Sequence, residues 1–255
     1  MPIEVTVIPC RADNYAYLLQ DRESGKTAVV DVPDAAPVVD VLARMELPLH
    51  QILLTHHHLD HVEGVAALRS ETGAIVVGNA EDARRLPPLD SAVSDGDRIA
   101  VAGQEAKVID VSGHTIGHIA YVFADEDWAF TGDSLMMLGC GRVFEGSFEM
   151  MYRSLAKFGP MLDTMRICSG HEYAESNARF ALSVEPDNPH VQERAEWVRK
   201  MRSARSPTVP SPLGAERMTN PFLRCHLPEM KAALGMESAA DVDVFAELRT
   251  RKDNF

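Results

Sequence analysis

THHHLDH, at residues 55–61, places four histidines and one aspartate within six consecutive positions, directly after the apolar run at 52–54. Imidazole rings packed together lose water without gaining partners, and protonating them together would gather like charges. A divalent cation removes both costs, because it prefers neutral imidazole nitrogens and carboxylate oxygens as ligands. A solvated histidine loop is the alternative, but the apolar strand before the cluster and the helix-like segment 62–67 after it enclose it tightly. The stretch therefore predicts a metal site.

Three later segments repeat one arrangement, in which an apolar strand stops at a small residue and a glycine before a ligand-type side chain. These side chains are His114, Asp133 and His171, after strands at 107–111, 128–130 and 166–168. Strands that end together in a sheet place their terminal residues in one crevice, where sites of α/β proteins are generally built. We therefore expect these three side chains to join the first cluster.

Seven nitrogen and oxygen ligands are enough for two metal ions. We expect His56, His58 and His114 to bind the first metal, and Asp60, His61 and His171 to bind the second. Asp133, with two oxygens, would bridge both. Two metals roughly 3.5–4 Å apart can share a hydroxide and polarise a carbonyl. A structural zinc site is closed by four ligands and usually includes thiolates, so this set predicts catalysis. Zinc is the expected metal, with iron and manganese as alternatives.

Composition narrows the class of protein. The chain has 255 residues, 45% of them hydrophobic, enough for one large domain or a domain with a satellite. A formal net charge of -13 argues against binding to nucleic acid or to an anionic membrane surface. We see no secretion signal and no membrane span, and the four cysteines lack CxxC spacing. A cytoplasmic monomer with reduced thiols is the expectation.

The chain changes character near residue 172. Short strands are predicted before it, opening with an antiparallel meander at 3–8, 15–19 and 27–32. Further strands are expected at 52–54, 75–77, 98–101, 107–111 and 119–123, with helices at 38–45, 62–69 and 82–86. Helices at 174–183, 191–201 and 238–249 follow. We therefore predict a catalytic domain at 1–171 and a small helical domain at 172–255.

The THxHxDH pattern with later GH, GD and GH strand ends resembles the metallo-β-lactamase fold superfamily, an α+β fold with an αββα sandwich of two facing sheets. Within it, the chain resembles the glyoxalase II family, the hydroxyacylglutathione hydrolases, along nearly its whole length. The shared motifs include GHTIGH at 113–118, TGDSL at 131–135, GCGRVFEG at 139–146, GHEY at 170–173, NPFLR at 220–224 and RTRKDNF at the end. The resemblance implies a sandwich followed by a small C-terminal α-helical domain. It gives neither His57 nor His118 a ligand role, and we interpret both as packing or supporting residues.

The resemblance also implies an activity. It is hydrolysis of S-(2-hydroxyacyl)glutathione, chiefly S-D-lactoylglutathione, to glutathione and D-lactate, the second step of methylglyoxal detoxification. A hydroxide held by two metals would attack the thioester carbonyl, with Asp60 and Asp133 as the catalytic carboxylates. The leaving thiol has a pKa of about 8.5, so a dedicated general acid is unnecessary.

Glutathione is anionic while the chain is acidic, so local cations should bind it. The resemblance implies a small-molecule site formed by Arg142, Phe144, Tyr173, Arg249 and Lys252. Arg249 and Lys252 lie three residues apart and would share one face of a helix, although cations also favour a helix end for its dipole alone. Many members carry Lys and Tyr where this chain has Arg142 and Phe144. Cys140 is interpreted as structural.

Three other functions compete with this hypothesis. A glutathione persulfide dioxygenase with a single iron would keep His56, His58, His114 and Asp133, but it usually lacks the long helical C-terminal domain. A β-lactamase would need an export signal and would lack the glutathione-type segments. A non-catalytic metal-binding module would be favoured by the loss of one ligand, and all seven are present.

Overall fold

The structure is a computed structural model that describes residues 3–255. The chain folds as two compact units. Unit 1 comprises the described residues up to Val111 together with Gly117–Gly132, and unit 2 comprises Ser112–Ile116 and Asp133–Phe255. The domain boundary predicted near residue 172 stays a prediction.

Unit 1 opens with a sheet of six strands that neighbour one another in chain order. They are β1 (Glu4–Cys10), β2 (Asn14–Gln20), β3 (Thr27–Val30), β4 (Gln51–Leu53), β5 (Ile75–Asn79) and β6 (Ser91–Val93). The first three pair antiparallel, which confirms the predicted meander. From β3 to β6 the pairing is parallel.

Four further strands of unit 1 form an antiparallel ladder that packs on the first sheet. They are β7 (Arg98–Val101), β8 (Gln104–Asp110), β9 (Ile119–Phe123) and β10 (Trp128–Gly132). The Tyr17 ring packs edge-on against Phe130 at a centroid distance of 5.5 Å. The Tyr121 hydroxyl donates to the Leu54 carbonyl at 3.0 Å, and Tyr121 is completely buried. These contacts hold the two sheets of unit 1 together, and the second of them involves the residue directly before the THHHLDH stretch.

The helices of unit 1 are α1 (Ala35–Met45), α2 (Leu59–Val62) and α3 (Val65–Thr72). Buried residues of α1 and α3, such as Val38 and Leu68, pack against the first sheet in one apolar core. The helix predicted at 62–69 is interrupted at Gly64, where a Cβ would lie 2.5 Å from the Ala35 nitrogen. The prediction of a helix at 82–86 is wrong. A 3₁₀ turn at Ala80–Asp82 forms instead, because two prolines follow at 87–88 and stop the chain from continuing as a helix.

Unit 2 carries two short strand pairs and most of the helices. The pairs are β11 (Leu135–Met136) with β12 (Gly139–Cys140), and β13 (Arg166–Ser169) with β14 (Ser211–Pro212). The helices are α4 (Phe148–Ala156), α5 (Ala174–Val184), α6 (Pro189–Ser203), α7 (Leu213–Thr219), α8 (Pro228–Leu234) and α9 (Asp241–Asp253). The predictions for α5, α6 and α9 are confirmed, whereas α4, α7 and α8 were not predicted. Within residues 3–255, no helix has the length and apolar character needed to cross a membrane.

Replacing Ile52 by alanine should destabilise the fold by about 2–5 kcal/mol, because the side chain is completely buried in the central strand β4. Ile75→Ala on the neighbouring strand β5 is the matched control, since that side chain is 44% exposed. Urea unfolding followed by circular dichroism measures both. Equal midpoints for the two variants would contradict the assignment of this core.

Candidate metal centre

The THHHLDH stretch gathers four of the predicted ligands within unit 1. It leaves β4 as a loop and ends in the short helix α2. His56 and His61 are completely buried, with ring centroids 4.2 Å apart, and the centroid of His58 lies 4.8 Å from that of His56. The Oδ2 atom of Asp60 lies 3.9 Å from Nε2 of His61. Three imidazoles and one carboxylate therefore share a single small volume.

Asp31, which was not predicted from the sequence, orients His56 and His61 through hydrogen bonds. Its carboxylate accepts the Thr55 backbone N–H at 2.9 Å and the Thr55 hydroxyl at 2.8 Å. It also accepts Nδ1–H of His61 at 2.8 Å. Because the Thr55 hydroxyl donates to Asp31, it accepts from Nδ1 of His56 at 3.0 Å. Both rings therefore carry their lone pair on Nε2, the arrangement typical of metal-binding histidines.

Asn14 is a second residue that the sequence analysis missed. Its side-chain amide donates to the Asp60 carbonyl at 3.0 Å and to Oδ2 of Asp60 at 3.1 Å. Asn14 is 4% exposed at the start of β2, so the amide is held rigidly. The Asp60 carboxylate is thereby oriented before any ligand binds.

His118 and His57 have the supporting contacts expected of them. The His118 ring stacks on that of His56 at 4.6 Å and contacts the Ile119 carbonyl through Nδ1. Nδ1 of His57 lies 2.9 Å from Oδ2 of Asp82. The three other histidines, His50, His190 and His226, are exposed, as predicted.

Unit 2 carries the other three predicted ligands as one group. Oδ2 of Asp133 lies 3.5 Å from Nε2 of His114 and 3.3 Å from Nε2 of His171. All three side chains are buried. His114 donates Nδ1–H to the Arg142 carbonyl at 2.7 Å, so its Nε2 lone pair faces the carboxylate. Cations bound at these side chains would relieve the repulsion between that lone pair and the carboxylate oxygen. The donors of each group are thus of the kind that divalent metals prefer.

A glycine makes the second group possible. At Gly141 a Cβ would lie 1.9 Å from the Asp133 carbonyl oxygen and 3.0 Å from Nδ1 of His114. Because neither neighbour is the end of a flexible chain, any larger residue would displace a ligand. The GCGR motif is therefore explained by close approach of the backbone.

Two aromatic side chains border the ligand group of unit 2. Phe144 is 60% exposed, and its ring meets His114 edge-on at 5.2 Å. Tyr173 stacks on His171 at 4.6 Å with an interplanar angle of 11°. Both predicted substrate residues therefore present a ring surface directly beside a ligand.

The three predicted cations of the substrate site differ in their surroundings. Arg142 is exposed and contacts Asp253 through Nε at 3.2 Å. Arg249 is 4% exposed and donates to the Cys140 carbonyl at 2.9 Å and to Asp253 at 2.9 Å. Lys252 is half-buried and donates to the Ser176 hydroxyl at 2.9 Å. Arg249 is thus engaged within the chain, and a substrate contact by any of the three stays a prediction.

Burial raises the pKa of the Cys140 thiol, although the Arg249 guanidinium beside it acts in the opposite direction. A thiol that stays protonated is a poor nucleophile. This agrees with the interpretation of Cys140 as a structural residue.

Comparison with known proteins adds three findings. Residues 12–171 match the family model for the metallo-beta-lactamase superfamily, and residues 172–255 match the model for the hydroxyacylglutathione hydrolase C-terminus. Proteins named hydroxyacylglutathione hydrolase from Cereibacter sphaeroides (strain ATCC 17025 / ATH 2.4.3) and Ruegeria pomeroyi are 55% and 52% identical, over all of this chain and all of each relative. The crystal structure of the B3 metallo-beta-lactamase BLEG-1 is similar with a TM-score of 0.67 and 21% identity, over 86% of this chain and 99% of that one. The predicted fold class is confirmed.

Asp31→Asn should weaken metal binding by roughly 10–100-fold, because the amide cannot accept from both Thr55 and His61 as the carboxylate does. Asparagine tolerates the positive φ of 55° at this position, so the backbone should be kept. Competition with a chromophoric chelator measures the affinity. Asp34→Asn is the control, since the Asp34 side chain accepts the Ala36 N–H at the start of α1. Equal affinities in the two variants would show that Asp31 does not orient the ligands.

Proposed function

The chain belongs to the hydroxyacylglutathione hydrolase family, glyoxalase II, of the metallo-β-lactamase superfamily, and from that membership we propose that it is a thioester hydrolase. The proposed substrate class is S-(2-hydroxyacyl)glutathione, chiefly S-D-lactoylglutathione, and the products are glutathione and D-lactate. Full-length relatives with that name support hydrolysis over the dioxygenase alternative. The observation that carries the proposal is the pair of ligand groups, in which the Nδ1 atoms of His56, His61 and His114 are hydrogen-bonded to oxygen.

We assign the metal ligands to the seven predicted residues: His56, His58, Asp60, His61, His114, Asp133 and His171. They would hold two divalent ions, zinc first, with iron or manganese accepted by the same donors. Ions bound there supply a water of lowered pKa and polarise the thioester carbonyl. Asp60, held by Asn14, is assigned to orienting that water, and Asp133 to joining the two ligand sets.

The glutathione moiety is assigned to the side chains bordering the second ligand group and the end of α9: Arg142, Phe144, Tyr173, Arg249 and Lys252. The tripeptide carries carboxylates, and the chain has a net charge of -13, so local cations must attract it. Phe144 offers a ring face but no hydroxyl, so its contribution is van der Waals contact. The thiolate leaves without a general acid, because a thiol pKa of about 8.5 makes it a good leaving group.

We further propose that the protein works as a monomer in the cytoplasm. All four cysteines are buried and none forms a disulfide within residues 3–255, which supports a reducing compartment. The size of the assembly stays a prediction from composition.

Purified protein should hydrolyse S-D-lactoylglutathione, followed as loss of thioester absorbance, and should contain close to two metals per chain. Asp133→Ala should lower metal content and turnover by at least about 100-fold, beyond the effect of residues that only orient a ligand. Asp163→Ala is the control, since its side chain is 71% exposed and pairs with Arg217. Intact metal content in Asp133→Ala would refute its bridging role. Oxygen consumption with glutathione persulfide, one iron per chain and no thioester hydrolysis would replace the proposal by the dioxygenase.

Lys252→Ala should raise KM for the thioester more than it lowers kcat, because the ammonium is assigned to binding. Lys200→Ala on α6 is the matched control, with a side chain that is 74% exposed. Steady-state kinetics measure KM and kcat of both variants. An unchanged KM in Lys252→Ala would remove this residue from the substrate site.

The pKa of Lys252 predicts a pH dependence of KM. Burial, with the Arg249 and Arg179 guanidiniums, lowers the pKa of Lys252 to about 8, against smaller opposing effects of Asp253 and Cys140. A lowered lysine pKa means that the charge is present below pH 8 and is lost as the pH rises through it. KM should therefore rise above pH 8 in the wild type and stay flatter in Lys252→Arg, which keeps its charge.

A further inference from the structure

We propose that Asn177, Glu216 and Asn220 are positioning residues that hold the metal ligands Asp133 and His114 through the β11–β12 hairpin. The inference rests on the metal-ligand assignment of the proposed function. It gives the helical part of unit 2 a second role besides substrate binding, namely control of the ligand geometry.

The hairpin that these residues hold has a turn that needs external support. Met137 and Leu138 connect β11 to β12. Leu138 has a φ of 56°, in the left-handed region that bulky side chains avoid, and it is completely buried. Two strands of two residues each supply few ladder hydrogen bonds of their own. The conformation persists only if neighbouring groups fix it.

Glu216, in α7, and Asn220, directly after α7, form hydrogen bonds to the backbone of the turn. Oε2 of Glu216 accepts the Leu138 N–H at 2.6 Å. Nδ2 of Asn220 donates to the carbonyls of Met136 at 3.0 Å and Gly139 at 2.9 Å. Both side chains are completely buried, so water does not compete for these bonds.

Asn177, on α5, makes the remaining hydrogen bond to the hairpin. Its Nδ2 donates to the Met137 carbonyl at 2.9 Å, and the side chain is 5% exposed. A Cβ at Gly139 would lie 2.5 Å from the same nitrogen. Each of the four residues 136–139 therefore gives one backbone polar group to a buried side chain of the helical region.

Further hydrogen bonds fix the side chains of Glu216 and Asn220. Ser211 donates its hydroxyl to Oε1 of Glu216 and accepts from Nη2 of Arg194 at 2.7 Å. The Asn220 Nδ2 atom also lies 3.1 Å from Oε2 of Glu216, and the Asn220 Oδ1 atom accepts the Phe222 N–H at 3.1 Å. The side chains of Glu216 and Asn220 thus have few alternative conformations open to them.

Displacement of the hairpin would move two metal ligands, Asp133 and His114, at once. Asp133 lies two residues before β11, and the Gly141 N–H closes the hairpin on the Ser134 carbonyl at 3.1 Å. The next residue, Arg142, accepts Nδ1–H of His114 through its carbonyl at 2.7 Å. The hairpin therefore sets both the position of one ligand and the ring orientation of another.

The test is the rate at which zinc-loaded protein loses metal to excess chelator. Asn220→Asp removes the donors to Met136 and Gly139 but keeps the oxygen that caps Phe222. We expect metal loss to accelerate roughly 10–100-fold, the range for residues that orient a ligand, while KM changes little. The matched control is Asn188→Asp: Asn188 also caps a helix and donates one amide hydrogen, to the Met218 carbonyl, away from the hairpin. It should lose metal at the wild-type rate.

Asn177→Ala, which removes a single contact to the hairpin, provides the second measurement if Asn220→Asp does not fold by circular dichroism. It should also lose metal faster than the control. Wild-type metal retention in a folded Asn220→Asp, or in Asn177→Ala, overturns the inference while leaving the hydrolase proposal intact. A wild-type protein that binds no metal and hydrolyses no thioester would instead defeat the proposed function itself.

Discussion

Imidazole rings can share a buried volume only if every ring nitrogen has a defined partner. Asp31 meets this requirement in unit 1, where one carboxylate fixes Thr55, His61 and, through the Thr55 hydroxyl, His56. In unit 2 the Arg142 carbonyl does the same for His114. The Nδ1 atoms of His56, His61 and His114 are thus bonded to oxygen, so their Nε2 atoms are left to bind a cation. The strand ends, tight glycines and short helices around both groups serve this one constraint.

The sequence predicted those parts of the molecule whose signal is local. Strands, the opening meander and the helices predicted at 174–183 and 191–201 follow from periodicity and from the proline-containing connection between the two helices at 185–189. The ligand side chains were identifiable because ligand-type residues repeatedly follow apolar strands. The short helices α7 and α8 escaped because their mixed pattern is decided by packing in the helical region.

The missed residues share a physical reason. Asp31 and Asn14 act on ligands 30 and 46 positions away, and Asn220 acts on a hairpin more than 80 positions away. Nothing in the neighbourhood of an isolated Asn or Asp distinguishes a turn residue from one that donates across the fold. Asp31 did carry one signal, since it too follows an apolar strand, at 28–30. The interpretation of residues 27–32 as a continuous strand hid it.

The four buried cysteines have a consequence for redox chemistry. Burial raises the pKa of each thiol: that of Cys10 to about 11, and those of Cys140, Cys168 and Cys225 above their usual range. Thiol–disulfide exchange begins with a thiolate that can reach its target. At neutral pH these residues offer almost none. A chain proposed to release glutathione at every turnover therefore exchanges poorly with the disulfide that oxidation of that product would form.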